Sequence, residues 1–229
     1  MQLYGKKSNS LLQKTIITVL EIVLLYFAYW IALKKGGTII YSWFGINVNE
    51  GYAIRRIIIF SFSIIVFLRL SFMMFFLLKR KIPMEEAFSV PFAFAIYYIG
   101  FAIFGYVSNA SLDIFDLLGI TVYLVGSYLN TASELQRFIW KKDPNNKGKL
   151  YTINLFSYSM HINYFGDLLW VLGYAILTRN IYSFIIVALL FLFFAFFNIP
   201  KLDKYLVEKY KDQFYEYKTK TKKFIPFIY

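Results

Sequence analysis

Six stretches of about twenty apolar residues, roughly 15–33, 57–78, 87–107, 112–133, 158–177 and 181–199, account for most of this 229-residue chain. Runs of that length match the thickness of a bilayer's hydrocarbon core. Inside lipid, every backbone polar group must be bonded within its own segment or barrel, so apolar runs of this length fold as helices. The expected fold class is therefore all-α: a multi-pass transmembrane helical bundle of about six spans. Composition agrees, since 59% of residues are hydrophobic and 22% aromatic, a surface that a soluble domain of this size would hide only with difficulty. Lys6, Lys7 and Lys14 lead into a full-length span with no small-residue cleavage site, unlike a signal peptide.

The absence of cysteine removes disulfides and thiolate metal sites, and a single histidine removes multi-histidine zinc or di-iron centres. The net charge of +12 follows membrane topology rather than nucleic-acid binding. With both termini cytoplasmic, nineteen of the 25 Lys and Arg fall inside, before the first span, at 79–81, between 137 and 149, and after Pro200. Lys34, Lys35, Arg55, Arg56 and Arg179 fall outside and dissent, while Arg69 lies within a span. The expected setting is a plasma membrane or endoplasmic reticulum, with membrane lipids as partners and no nucleic acid. Asp143-Pro144-Asn145-Asn146-Lys147-Gly148 is a turn signal between the fourth and fifth spans. After Pro200 the chain becomes amphipathic and rich in Tyr and Lys before ending in IPFIY. This tail is expected to fold back and pack on the cytoplasmic side, closing over a site.

Chemistry concentrates between Gly126 and Trp170. Asn130, Glu134, Arg137 and Lys141 recur at i, i+4, i+7 and i+11, one face of a helix, with Ser133 beside them. Polar groups at membrane depth are kept mainly where they bind or react. The stripe starts polar and grows basic, which suits a nucleotide cofactor held by its hydrogen-bonding end at depth and its phosphates near the surface. Snorkelling accounts for Lys142, and for Arg137 and Lys141 taken alone, but not for Asn130 and Glu134. His161, Asn163 and Asp167 follow, the last an acid in an apolar segment that needs Arg137, a ribose hydroxyl or an amide as partner. His161 reads either as an ordinary histidine near a helix start or as an acid or hydrogen-bond donor. Glu85 and Glu86 read either as acids favoured by a helix macrodipole or as a carboxylic acid at a pocket mouth. Glu21 and Arg69, also at membrane depth, read as a pair or as groups facing the pocket.

From residue 126 to the end, these residues resemble the steroid 5-alpha-reductase family. Gly126, Asn130, Ser133 and Glu134 match its G-x-x-x-N-x-x-S-D/E helix, and Lys141 matches a basic position eleven residues after the Asn. Leu155-Phe156-Ser157-Tyr158, Asn163-Tyr164-Phe165-Gly166-Asp167, Trp170 and Gly173-Tyr174-Ala175 match the next segments. Tyr210, Phe214, Tyr217 and Ile225-Pro226-Phe227-Ile228-Tyr229 match the family's end. His161 to Asp167 is similar to the H-x-N-Y-x-G-D of the related sterol reductases. The isoprenylcysteine carboxyl methyltransferases share the architecture, but Met160 replaces the Arg of their R-H-P-S-Y, and Asn198-Ile199-Pro200-Lys201-Leu202-Asp203 lacks the Arg and first Glu of their late motif.

The resemblance implies a single integral membrane domain with substrate-side helices in 1–110 and a cofactor-binding half in 111–229. It implies an NADPH-dependent oxidoreductase acting on a CH–CH bond conjugated to a carbonyl in a lipidic, steroid-like or isoprenoid small molecule. Asn130, Ser133, Glu134, Arg137, Lys141, His161, Asn163, Asp167 and Tyr210 are the implied NADPH residues. Glu85 or Glu86 with Tyr98, or with Tyr97 or Tyr106, would hydrogen-bond the substrate carbonyl. The rival is an S-adenosylmethionine-dependent methyltransferase of the same architecture. The two cofactors differ in phosphate, of which NADPH carries three groups and S-adenosylmethionine none.

Overall fold

The computed structural model describes residues 8–229; Lys6 and Lys7, counted toward the charge bias above, lie outside that range. Among the described residues 76% are helical and none forms a strand. The helices are α1 (Leu11–Leu33), α2 (Gly36–Trp43), α3 (Ala53–Phe72), α4 (Met84–Tyr106), α5 (Ile114–Trp140), α6 (Ile162–Thr178), α7 (Phe184–Phe193), α8 (Ile199–Tyr210) and α9 (Asp212–Lys220). Among the described residues, five helical segments are long and apolar enough to cross a membrane: Leu11–Leu33, Ala53–Leu77, Met84–Tyr106, Ile114–Trp140 and Ile181–Tyr210. Their outward faces carry exposed Leu68, Phe92, Leu117, Phe196 and Phe197, a surface that lipid solvates and water does not. The chain is an integral membrane protein.

The sixth expected span is the shorter α6, whose 17 residues extend about 25 Å at 1.5 Å per residue, less than the ~30 Å hydrocarbon core. It starts at Ile162 rather than 158 because the preceding backbone is otherwise engaged. The Met160 amide donates to the Lys222 carbonyl at 2.8 Å, and the Ser159 hydroxyl donates to the Phe224 carbonyl at 2.7 Å. Pro200, near the start of α8, has no N–H for the carbonyl of Phe196, and the chain just before it winds as a π turn over Phe194–Asn198.

The chain divides into two compact units, residues up to Thr121 with Val171–Ile186, and Val122–Trp170 with Val187–Tyr229. In the first, α1 packs mainly on α4 and α3. Ile17, Met74, Ile82 and Ala87 form a buried cluster there. Gly105 lets α4 approach α3, since a Cβ would lie 2.2 Å from Ile59 Cδ1. The arginines that dissented from the charge bias prove to be neutralised. Arg55 is fully buried and satisfies every guanidinium donor. It binds both oxygens of Asp116 at 2.8 and 2.9 Å, Ser108 Oγ at 3.0 Å, and the carbonyls of Ala110 and Ser111 at 2.6 and 3.1 Å. Arg56 pairs with Glu50 at 2.8 Å and donates to the Ala32 carbonyl at 2.8 Å. Arg179 pairs with Asp113 and lies 3.6 Å from Asp116. The Arg179 guanidinium holds the Asp113 carboxyl below its ordinary pKa.

In the second unit, Tyr151, Phe156 and Ile162 form one buried cluster. Met160, Tyr210, Phe214 and Tyr217 form another, which seats the tail on the segment before α6. The Tyr217 hydroxyl donates to the Phe156 carbonyl, and burial raises its pKa above that of an ordinary phenol. The expected folding back of the amphipathic tail is thus realised by α8, α9 and residues 221–224.

Removing one partner of a buried ion pair strands the other. Asp116→Ala should therefore destabilise the detergent-solubilised protein by about 3–5 kcal/mol, read as a fall in midpoint in graded denaturant. Glu50→Ala, whose carboxylate is a third exposed, should lose less than about 1 kcal/mol.

Candidate functional site

The predicted polar stripe assembles where α5 and α6 touch backbone to backbone. A Cβ on Gly166 would lie 2.5 Å from the Asn130 nitrogen and 2.8 Å from the Gly126 carbonyl oxygen; one on Gly126 would lie 2.3 Å from the Trp170 nitrogen. Only glycine permits such an approach, as at small-residue helix crossings in membranes. The contact brings Asn130 Nδ2 to 3.2 Å from the Asn163 carbonyl and Asn163 Nδ2 to 2.9 Å from Glu134 Oε1. The other Glu134 oxygen accepts from Arg137. Ser133, fully buried, donates to the Asn130 carbonyl at 3.0 Å. Asn130, Ser133, Glu134, Arg137 and Asn163 therefore form one hydrogen-bonded chain from a buried interior to a half-exposed guanidinium.

Positive charge gathers at the outer end of this chain. Arg137 sits over the Phe156 ring at 5.6 Å. Lys209 donates to the Tyr205 hydroxyl at 3.0 Å and sits 5.1 Å over the Tyr210 ring. Lys141 keeps an exposed surface, but protein atoms crowd its ammonium. That desolvation, with the like charges of Arg137 and Lys209 next in weight, lowers its pKa from 10.5 to about 8 against the pull of Glu134. Lys209 carried no motif signal. It joins the set because α8 returns to the stripe, which local spacing does not reveal.

Asp167, predicted to need a partner, accepts a hydrogen bond from the Trp170 indole at 2.8 Å, one helical turn on. His161 is buried, and its Nε2 lies 2.8 Å from Asp203 Oδ1. Lys223 pairs with the other Asp203 oxygen at 3.4 Å. Asp203 had a signal only through its place in the late methyltransferase-like motif. Tyr210 is buried among Met160, Phe214 and Tyr217, where it supports the tail.

The predicted catalytic groups lie in the first unit and are not brought together. Glu85 is exposed, and Glu86 pairs with Arg80 through both oxygens at 3.0 and 2.7 Å. Tyr98 is fully buried on α4. The acid beside it is Glu21 of α1, also fully buried. Neither oxygen of Glu21 has a partner of full hydrogen-bond geometry, Arg69 included, and the hydrogen-bonding group next to it is the Tyr98 hydroxyl.

The second unit's carboxylate and amides suit hydroxyl or carboxamide groups of a ligand, and its three cations suit anionic groups. Gly166→Ala should force α5 and α6 apart and destabilise the protein by about 1–3 kcal/mol, read as a lower unfolding midpoint of the detergent-solubilised protein.

Two curated relatives match part of the chain. One, named "Probable O-methyltransferase ustE", from Ustilaginoidea virens, is 33% identical over 92 residues, 40% of this chain and 32% of the relative. The other, Protein-S-isoprenylcysteine O-methyltransferase of Saccharomyces cerevisiae, is 30% identical over 119 residues, 49% of each protein. The chain thus spans about a third to a half of the length of these relatives. A family model described as a protein of unknown function, DUF1295, matches residues 28–221. That match covers most of both units, and the chain belongs to the DUF1295 family, a steroid 5-alpha-reductase-like group of membrane proteins.

Proposed function

We propose that this chain is a membrane-embedded reductase that uses NADPH to reduce a carbon–carbon double bond conjugated to a carbonyl in a lipidic substrate. The observation that carries this reading is the gathering of Arg137, Lys141 and Lys209 beside the Asn130–Asn163–Glu134 chain. Desolvation of the Lys141 ammonium, and after it the like charges of Arg137 and Lys209, lower its pKa, and that is the cost of holding the cation there. A ligand with several phosphates offsets it, and NADPH has three, whereas S-adenosylmethionine has none.

Asn130, Glu134, Asn163 and Asp167 would hold the nicotinamide and ribose, with Arg137, Lys141 and Lys209 at the phosphates. Bound there, the nicotinamide supplies hydride. The protein's own task is orientation and hydrogen bonding. Negative charge develops on the carbonyl oxygen as hydride arrives, and a hydrogen-bond donor aimed at that oxygen stabilises it. Within the first unit, Tyr98 and Glu21 form a buried phenol–acid pair. Glu86 is occupied by Arg80, and Glu85 faces outward.

A second reading, an S-adenosylmethionine-dependent methyltransferase with a lipid or prenylated acceptor, is favoured by the names of the two relatives. The contact between His161 and Asp203 adds to it, because it joins the two segments that resemble the methyltransferase motifs.

Ligand-induced stabilisation of the purified protein separates the readings. NADPH at a hundredfold excess over its Kd should stabilise it by about 2.7 kcal/mol. The effect should shrink with salt and vanish in Glu134→Ala. Stabilisation by S-adenosylmethionine alone overturns the reductase reading.

The pH dependence has a definite sign. Because the Lys141 pKa is lowered in the folded state, its unfavourable contribution is fully present below about pH 8. That contribution is relieved between about 8 and 10.5, where the unfolded chain still holds the proton. A bound phosphate needs the ammonium, so NADPH binding takes up a proton above pH 8. Affinity should fall as pH rises from about 8, by at most about tenfold per pH unit, and Lys141→Met should flatten the profile. Titration of NADPH binding at successive pH values measures it.

A further inference from the structure

His161 is the chain's single histidine, and its surroundings specify more than its presence. The imidazole is 1% exposed. One face stacks on Tyr164 with ring centroids 5.8 Å apart and planes 11° apart. Tyr164 in turn stacks on Phe194 of the π turn at 4.7 Å. The His161 amide donates to Ser159 Oγ at 3.2 Å, and that hydroxyl donates to the Phe224 carbonyl at 2.7 Å. The ring is thus gripped through both its plane and its backbone. Its Nε2 is 2.8 Å from Asp203 Oδ1, and Lys223 lies 3.4 Å from Asp203 Oδ2.

A carboxylate can only accept hydrogen bonds. Nε2 must therefore carry the proton it gives to Asp203. In a neutral imidazole the partner of one nitrogen decides the state of the other, so Nδ1 is left with a lone pair.

We propose that His161 is a preset hydrogen-bond acceptor of the ligand site, with Asp203 as the positioning residue that fixes its tautomer and Lys223 of the tail pinning Asp203. The group it recognises is a donor, a ribose hydroxyl or a carboxamide NH2, and not a phosphate. This deepens the preceding reading, on which its ligand half rests. It also assigns the tail a role: residues 222–224 complete the site by holding both His161 and Asp203.

A single histidine makes the test direct. Protein labelled with nitrogen-15 only at histidine yields one pair of imidazole signals. At about pH 7.5 the proposal expects a pyrrole-type Nε2 and a pyridine-type Nδ1. Adding NADPH should move Nδ1 toward the hydrogen-bonded range and leave Nε2 in place. Asp203→Asn should mix the tautomers and weaken ligand binding roughly tenfold, the worth of one charge-assisted hydrogen bond; Asp203→Glu, which keeps an acceptor, should restore most of it.

Two pyrrole-type nitrogens, or a pyridine-type Nε2, in the ligand-free spectrum overturn the role of Asp203 whatever the cofactor. Stabilisation by NADPH or S-adenosylmethionine with an unmoved Nδ1 overturns the ligand contact and leaves the cofactor reading standing. Binding of neither overturns the cofactor reading and the contact together, while the tautomer remains decided by the ligand-free spectrum.

Discussion

Backbone contact between α5 and α6 is the constraint on which the candidate site depends. Gly126 and Gly166 leave no room for a side chain between the helices. The close approach is what lets Asn130 reach the Asn163 carbonyl and Asn163 reach Glu134. In an apolar bundle, a carboxylate and two amides are tolerated only while they satisfy one another. The glycines do not bind a ligand, yet without them the groups that could bind one would be isolated and costly.

Charge is managed in two ways along the chain. In the first unit three arginines are matched with acids: Arg55 spends all its donors on Asp116, Ser108 and two carbonyls, and Arg56 and Arg179 are paired with Glu50 and Asp113. These groups clamp the connections beside α3 and α5 and leave little capacity for a ligand. In the second unit the Lys141 ammonium is desolvated and, to a lesser degree, faces the like charges of Arg137 and Lys209, which together lower its pKa. The first unit thus matches its buried arginines with acids, while in the second Arg137 shares Glu134 with Asn163 and Lys141 has like charges for neighbours. Glu21 is the corresponding feature among the acids, buried beside Tyr98 with neither oxygen fully bonded.

The tail supplies structure as well as charge. Tyr217 bonds the Phe156 carbonyl, Phe224 is fully buried against Phe191 and Phe194, and Lys223 meets Asp203. The Tyr217 bond, the Met160 amide bond to the Lys222 carbonyl and the Ser159 hydroxyl bond to the Phe224 carbonyl fall on the segment that precedes α6, which is why that helix begins later than its hydropathy suggests. The same residues that shorten α6 also hold the His161 imidazole, so the length of a helix and the geometry of a candidate site have one cause.

The bundle itself was legible from sequence because a span declares itself locally: twenty apolar residues in lipid have no stable form but a helix. The stripe of Asn130, Glu134, Arg137 and Lys141 was legible for the same reason, since one helix places residues at those spacings on one face. Asn163 and Glu134 as partners, Lys209 beside Lys141, Asp203 on His161 and Glu21 beside Tyr98 were not. Each joins residues from distant stretches of the chain, and nothing in local periodicity sets how helices cross or where a tail returns. Glu85 and Glu86 drew notice as acids at a helix start or a pocket mouth, but Arg80 claimed Glu86 and outward exposure claimed Glu85 once the chain was folded. The sequence alone determined the membrane-spanning helices and which residues share a helix face, because those follow from solvent and helix period. Only tertiary structure decided which charges are neutralised and which are left facing one another, because close packing at a few glycines selects the partners.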